Sequence, residues 1–312
     1  MTDTDTFEGV YPAMVTPFNE DHSIDFDQLR RDARRLEAAG VDGLVPMGST
    51  GESATVSHDE HIEVIEAVIE AVDDVPVIAG SGSNNTDEAL SLSRRAANAG
   101  ADALLLISPY YNKPEQRGLR EHYLRIAQAI DLPQIVYNVP SRTGQNIEAE
   151  TVIELASHEN VQGYKAASGD LNQVSQIVEG TRDETFDVLS GNDGETLPIL
   201  SAGGTGCISV AANVEPGRMS DLVWAALEGD YGRAREQHHE LGPLFRALFW
   251  ETNPIPVKAA VAMRGHGANR LRSPLSPLAD GYRDDLETIL ARYEDPAADA
   301  EGATGQTPVS ER

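Results

Sequence analysis

The stretch TDEALSLSRRAANAGADALLLISPYY, residues 86–111, carries two structural periods in succession. From Thr86 to Ala99 apolar residues recur at helical spacing, and Gly100 follows as a residue suited to a left-handed helix stop. ADALLLISPYY (101–111) then reads as a short strand buried on both faces. A helix that ends on glycine and passes the chain directly to such a strand is half of a βαβ unit.

The alternation extends in both directions. With 101–111, the runs GVYPAMVTPF (9–18), DGLVPMGS (42–49), VPVIAGS (75–81), PQIVYNVP (133–140), VQGYKAAS (161–168), FDVLSGND (186–193) and GCISVAAN (206–213) make eight. Helix-like segments separate them. Asp25 to Ala39 places Phe26, Leu29, Ala33 and Leu36 on one face and stops at Gly40. Ser57 to Val72 opens with Ser57-His58-Asp59-Glu60, an N-cap residue followed three positions later by glutamate. Eight such units predict an α/β fold, a (β/α)8 TIM barrel over residues 9–214. After about residue 214 the strands cease. Met219 to Gly229, Gly232 to Phe249, Ile255 to Arg264 and Tyr282 to Tyr293 read as helices only, a C-terminal helical extension over 215–293. Residues 1–8 form an N-terminal tail, and 294–312, small, polar and Pro/Gly-containing, read as a disordered tail.

The 312 residues carry 51 acids against 24 Lys plus Arg, a net charge of −27. That excess disfavours nucleic acid and anionic membrane as partners. No run reaches the ~18 apolar residues of a membrane span, and MTDTDTFEGV lacks the apolar core of a signal peptide. Cys207 is the single cysteine, so neither an intrachain disulfide nor a cysteine-based metal site is open to the chain. These features predict a soluble, cytoplasmic protein. An acidic chain with only three lysines, Lys113, Lys165 and Lys258, fits a high-salt cytoplasm; the alternative is a merely acidic mesophilic enzyme. Self-repulsion then predicts that the fold loosens as salt is withdrawn. Thermal melts should show a lower midpoint in dilute buffer than in molar KCl; equal midpoints would refute this.

The barrel places chemistry at the C-terminal ends of its strands. One of those ends is Lys165, within VQGYKAASGD (161–170). Burial disfavours an ammonium and turns the lysine toward a neutral amine, the nucleophile that forms a Schiff base with a carbonyl. The alternative is a cation that snorkels from a strand end into solvent. A chain that uses arginine almost everywhere else could place arginine there, and arginine cannot form an imine. Tyr137 ends another strand and could move a proton near that amine, or simply bond the backbone. Arg142 on the following loop could grip a carboxylate bidentately, or form a surface ion pair. In GSTGES (48–53), two glycines bracket Ser49 and Thr50, an arrangement of amides and hydroxyls able to hold a small carboxylate or to serve only as a turn. It is not a G-x-S-x-G elbow. His58 and His61 share a helical face without the H-E-x-x-H pattern, which favours a solvated helix start over a metal site. GSGSNN (80–85) lacks the third glycine of a dinucleotide fingerprint.

Taken together, GSTGES (48–53), ISPYYNKP (107–114), YNVPSRTG (137–144) and GYKAASGD (163–170) resemble the pyruvate-dependent class I aldolase family, in the family's order along the strand ends. The similarity runs from about Gly9 to at least Pro277 and takes in SGNDGETLPILSAGGTGCISVAAN and ETNPIPVKAA. Ser141-Arg142-Thr143-Gly144 matches the branch that condenses pyruvate with L-aspartate 4-semialdehyde. The alternative is a 2-keto-3-deoxy sugar acid aldolase or an N-acetylneuraminate lyase-like activity.

The resemblance implies roles. Lys165 forms the imine with pyruvate. Thr50, with Ser49 and nearby amides, holds the pyruvate carboxylate; Ile208 contacts pyruvate through its backbone, with Gly191 beside the substrate. Tyr137, Ser49 and Tyr111 form a proton relay, Tyr111 coming from a neighbouring subunit, and Arg142 holds the second carboxylate. No metal or organic cofactor is implied. A homo-oligomer follows, a tetramer built as a dimer of dimers. The residue types of the L-lysine effector pocket found in some members recur as Ser53, Ala54, His58, His61, Asn84, Glu88 and Tyr110. Two positions depart from the condensing branch: Ser49 stands where threonine is usual, and Ala166 where glutamate is usual.

Overall fold

The computed structural model describes residues 7–293; the expectation for 294–312 lies outside the described residues. Seven parallel strands form one sheet: β1 (Gly9–Pro12), β2 (Ile78–Gly80), β3 (Ala103–Ile107), β4 (Gln134–Asn138), β5 (Val161–Ala166), β6 (Asp187–Ser190) and β7 (Gly206–Ser209), in the order β1-β7-β6-β5-β4-β3-β2. The sheet's two edges are joined by the run expected at 42–49. Val45 bridges Ala13 on one side and Leu44 bridges Val77 on the other, both parallel. Asp42 N and Val45 N donate to Val10 O and Pro12 O, while Ile78 N and Gly80 N donate to Leu44 O and Pro46 O. The ring therefore closes with eight staves. The second stave is irregular for a local reason: Pro46 has no N–H for the ladder, and Met47 turns into the left-handed region at φ 59°.

Helices α1 (Phe26–Ala38), α2 (His58–Ile69), α3 (Thr86–Ala99), α4 (Gln116–Ala127), α5 (Pro140–Thr143), α6 (Ala149–Ala156), α7 (Leu171–Thr181), α8 (Thr196–Ser201) and α9 (Pro216–Leu227) follow the staves. Asp25 caps α1 by accepting from Gln28 N. Ser57 and Glu60 form the reciprocal capping box foreseen for α2. For α3 the cap is Asn85, whose side chain accepts from Asp87 N; Thr86 lies inside the helix and its hydroxyl pairs with His122 Nδ1. α9 packs on β1 and α8, and its Trp224 Nε1 donates to Asp42 Oδ2 at 3.2 Å. α10 (Tyr231–Ala247), α11 (Ile255–Met263) and α12 (Asp280–Leu290) complete the helical region. Among the described residues no helix is long and apolar enough to cross a membrane.

Strand alternation sorts the core into two layers. Tyr11, Val45, Ile78, Leu105, Ile135, Tyr137, Leu189 and Ile208 pack together inside the ring, with Phe7 among them. Leu104, Leu106, Val136, Tyr164, Ala166 and Val188 face the helices. On β5 this sends Tyr164 and Ala166 outward and leaves Lys165 between them on the inner side, so the unusual alanine stands away from the barrel interior, as alternation requires.

Candidate active site

Lys165 sits one residue from the end of β5, level with Tyr137 on β4 and Leu189 on β6. It is 6% exposed. Its Nζ lies 4.2 Å from the centre of the Tyr137 ring, and among the described residues no hydrogen bond or ion pair holds it. Space beside it depends on Gly191, where a Cβ would come within 3.0 Å of Lys165 Cε. The snorkelling alternative is excluded. Burial pulls the Lys165 ammonium down to about 7, the Asp193 carboxylate opposing the fall and Arg142 reinforcing it. That corresponds to a lost preference for the charged form on the order of 5 kcal/mol. Burial also pushes the Tyr137 phenol up to about 12, the Arg142 charge opposing the rise.

Asp193 is the counter-charge. It is buried, accepting from Ser209 Oγ at 2.5 Å and from the amides of Val210 and Ala211 at 3.1 and 2.9 Å. These forces give opposite expectations for two substitutions. In cyanoborohydride trapping with pyruvate, the wild-type rate should fall about tenfold per pH unit below about 7, because only the neutral amine attacks. Asp193→Asn removes the charge that favours the ammonium and should move this limb to lower pH. Arg142→Gln removes a repelling charge and should move it up. A limb that stays fixed in both variants contradicts the assignment.

Beside Lys165 the 48–52 turn follows the irregular stave. Gly51 N and Glu52 N donate to Gly48 O and Ser49 O, and Glu52 is left-handed at φ 56°. Thr16 Oγ1 donates to Gly51 O at 2.7 Å. Thr50 is buried, its Oγ1 receiving Asn253 Nδ2 at 2.9 Å. Arg142, on the one-turn α5, donates from Nη2 to Asn253 O at 2.7 Å. Asn253 therefore ties the 48–52 turn to the arginine, while its own buried Oδ1 has no partner among the described residues.

A cavity of about 620 Å³ opens beside this group, lined by Ser49, Tyr137, Arg142 and Asn253 and also by Ser53, Ala54, His58, His61, Glu88 and Tyr110. His58 Nε2 is 3.0 Å from Glu88 Oε1, and Ser83 Oγ donates to the same carboxylate. His61 Nε2 donates to Gly80 O at 2.6 Å. That bond fixes the His61 tautomer and leaves Nδ1 as its acceptor nitrogen. Asn84 does not line the cavity. Tyr111 stands apart: it is 87% exposed, at φ 70°, and joins no other site residue.

Residues 6–293 match the dihydrodipicolinate synthetase family. The chain belongs to that family. A 4-hydroxy-tetrahydrodipicolinate synthase of Haloarcula marismortui is 71% identical over 288 residues, covering 92% of this chain and 94% of the relative. The dihydrodipicolinate synthase structure from Aquifex aeolicus superposes with a TM-score of 0.90 at 43% identity, over 92% of this chain and 98% of that one. A DHDPS from Cyanidioschyzon merolae with lysine bound reaches a TM-score of 0.89 at 37% identity, over 92% and 98% of the two chains.

Against other members of the dihydrodipicolinate synthetase family the chain thus aligns across nearly all its described length. Sequence reasoning brought Lys165, Tyr137, Ser49, Thr50, Arg142, Gly191 and Ile208 to one end of the ring. It missed Asp193, Asn253 and Glu52. All three stand within polar, Gly- or Pro-containing turns (GSTGES, SGNDGE, ETNPIP), where another polar residue carries no local signal.

Proposed function

We infer that this chain condenses pyruvate with L-aspartate 4-semialdehyde to give 4-hydroxy-tetrahydrodipicolinate, the entry to diaminopimelate and lysine synthesis. The observation that carries the reading is the buried, unpaired Lys165 amine against the Tyr137 ring, on a fold shared with synthases of that name. The neutral amine adds to the ketone of pyruvate, and the carbinolamine loses water to give the imine. Ser49 and Thr50 hold the pyruvate carboxylate, and Ile208 faces pyruvate with its backbone. Loss of a methyl proton gives the enamine, whose carbon attacks the aldehyde while Arg142 holds the second carboxylate. The amine of the new adduct then displaces Lys165 and closes the ring. Net, one C–C and one C=N bond form and one water leaves. The imine is the electron sink, so the chemistry calls for no cofactor.

Tyr137 and Ser49 lead the proton relay, and Tyr111 completes it from a second copy. Its exposure supports that role: the side chain is free to reach out of its own protomer. An oligomer of at least two chains follows, in the form of a dimer of dimers. The cavity also offers a cation the Glu88 carboxylate and the Ser83 hydroxyl, which supports L-lysine as an inhibitor there. The same segment of a second chain would supply Asn84. A cytoplasmic enzyme working in high salt fits the charge and the Haloarcula relative.

A coupled assay tests the substrate. Pyruvate consumption should require aspartate semialdehyde, and 2-keto-3-deoxygluconate should not be cleaved. Arg142→Gln should raise the KM for the semialdehyde by about 10- to 100-fold, the loss of a charge-assisted pair. Millimolar L-lysine should slow the wild-type rate. Cleavage of the sugar acid at a comparable rate would move the chain to the lyase branch.

A further inference from the structure

Lys258 is the third of the chain's three lysines, and the chemistry above leaves it unused. It lies on α11, outside the barrel, and is 2% exposed. Its Nζ approaches Glu52 Oε1 to 2.5 Å, the carboxylate being wholly buried. The same nitrogen donates to Arg270 O at 2.8 Å and sits 4.0 Å from the Phe18 ring centre. The second carboxylate oxygen, Glu52 Oε2, accepts from Arg272 N at 3.0 Å. The Arg272 guanidinium then binds Glu60 at 2.7 and 2.9 Å, Thr55 O at 3.1 Å and His22 O at 2.8 Å.

Glu52 stands two residues beyond Thr50, at the end of the 48–52 turn, and its φ of 56° is one that residues with a Cβ rarely hold without support. The support comes from far along the chain, Arg272 standing 220 residues away. A buried ion pair adds little to stability compared with apolar groups of the same volume. What it does supply is direction: a carboxylate held at both oxygens cannot rotate, and the backbone that carries it is fixed with it.

We propose that Glu52, clamped by Lys258 and the Arg272 amide, is a positioning residue that fixes the 48–52 turn so that Ser49 and Thr50 meet the pyruvate carboxylate. The proposal rests on the reading that this turn binds that carboxylate. It makes the C-terminal helices part of the pyruvate site, although none of their charged groups touches substrate.

The test compares Glu52→Gln, the double variant Glu52→Leu/Lys258→Met, and Thr50→Val by steady-state kinetics, with thermal melts alongside. The double variant removes both charges together, so it leaves no buried ion unpaired and should fold even if Glu52→Gln does not. The KM for pyruvate should rise on the order of tenfold in the Glu52 variants, while kcat and the KM for the semialdehyde stay within about twofold. A structural role alone would lower the melting midpoint and leave the KM of the folded enzyme alone. If pyruvate KM is unchanged in a folded Glu52 variant but raised in Thr50→Val, the clamp is overturned and the carboxylate site stands. If Thr50→Val also leaves it unchanged, the turn does not bind the carboxylate and both readings fall.

Discussion

Lys165→Arg is expected to leave a folded protein that neither turns over nor retains pyruvate after borohydride reduction. The two side chains carry the same charge at neutral pH until burial acts on them. The Lys165 ammonium falls to about 7, so near neutrality a large fraction is the neutral amine; a guanidinium remains protonated under the same pressure. Arginine therefore keeps a cation at the position and deletes the nucleophile. A loss in kcat on the order of 10⁴-fold or more follows, since removing a covalent nucleophile leaves only substrate binding and polar stabilisation. Gly191 packs against Lys165 Cε, where a Cβ would lie at 3.0 Å, and arginine adds bulk beside that contact, so a melt must accompany the kinetics. Mass spectrometry of the reduced wild-type enzyme should place a pyruvate-derived adduct on Lys165 and on no other residue. An adduct on Lys258 or Lys113, or turnover by the arginine variant above a thousandth of wild type, would remove the imine mechanism.

How much of this was legible in the residues varies with the range of the forces involved. Helix stops and caps are local, and Gly40, Gly100 and the Ser57–Glu60 box stand where the sequence put them. At α3 both Asn85 and Thr86 are capping residue types; Asn85 caps, and the contact of Thr86 with His122 is tertiary. The second stave read as a strand from its apolar content; Pro46 and the left-handed Met47 reduce its regular pairing, but both flanking strands still bond to it. Lys165 was legible because a lysine inside an apolar run, in a chain nearly without lysine, has no bland explanation of equal weight. Lys258 is equally rare by type, but its run reads as an ordinary helix until tertiary folding sets Glu52 beside it. Asp193, Asn253 and Glu52 could not be assigned from spacing: each takes partners brought near by closure of the ring or by docking of the C-terminal helices, contacts that no local period encodes.

Tyr137→Phe should lower kcat by roughly 10²- to 10³-fold, the usual contribution of one well-placed acid–base group. The ring contact with Lys165 survives in phenylalanine, so burial of the lysine and its readiness to attack the ketone should persist; only the phenol is lost. Two steps need that phenol. Carbinolamine collapse requires a proton for the departing hydroxyl, and enamine formation requires a base for the methyl proton. Burial raises Tyr137 to about 12, so across the neutral range it begins each cycle as a donor, and it acts as base only by passing its own proton onward. Ser49 lines the same cavity, and in the proposed relay its hydroxyl takes that proton on. The expected signature is a split. Reductive trapping at saturating pyruvate should still label Lys165 in Tyr137→Phe, more slowly than in wild type, while condensation with the semialdehyde falls by the full factor. Substituting the exposed Tyr111 by phenylalanine should produce a smaller loss of the same kind, and dissociation of the oligomer should reproduce it without any substitution. If Tyr137→Phe retains more than about a tenth of wild-type kcat, the proton traffic runs through another group and the phenol is only a packing partner of the lysine.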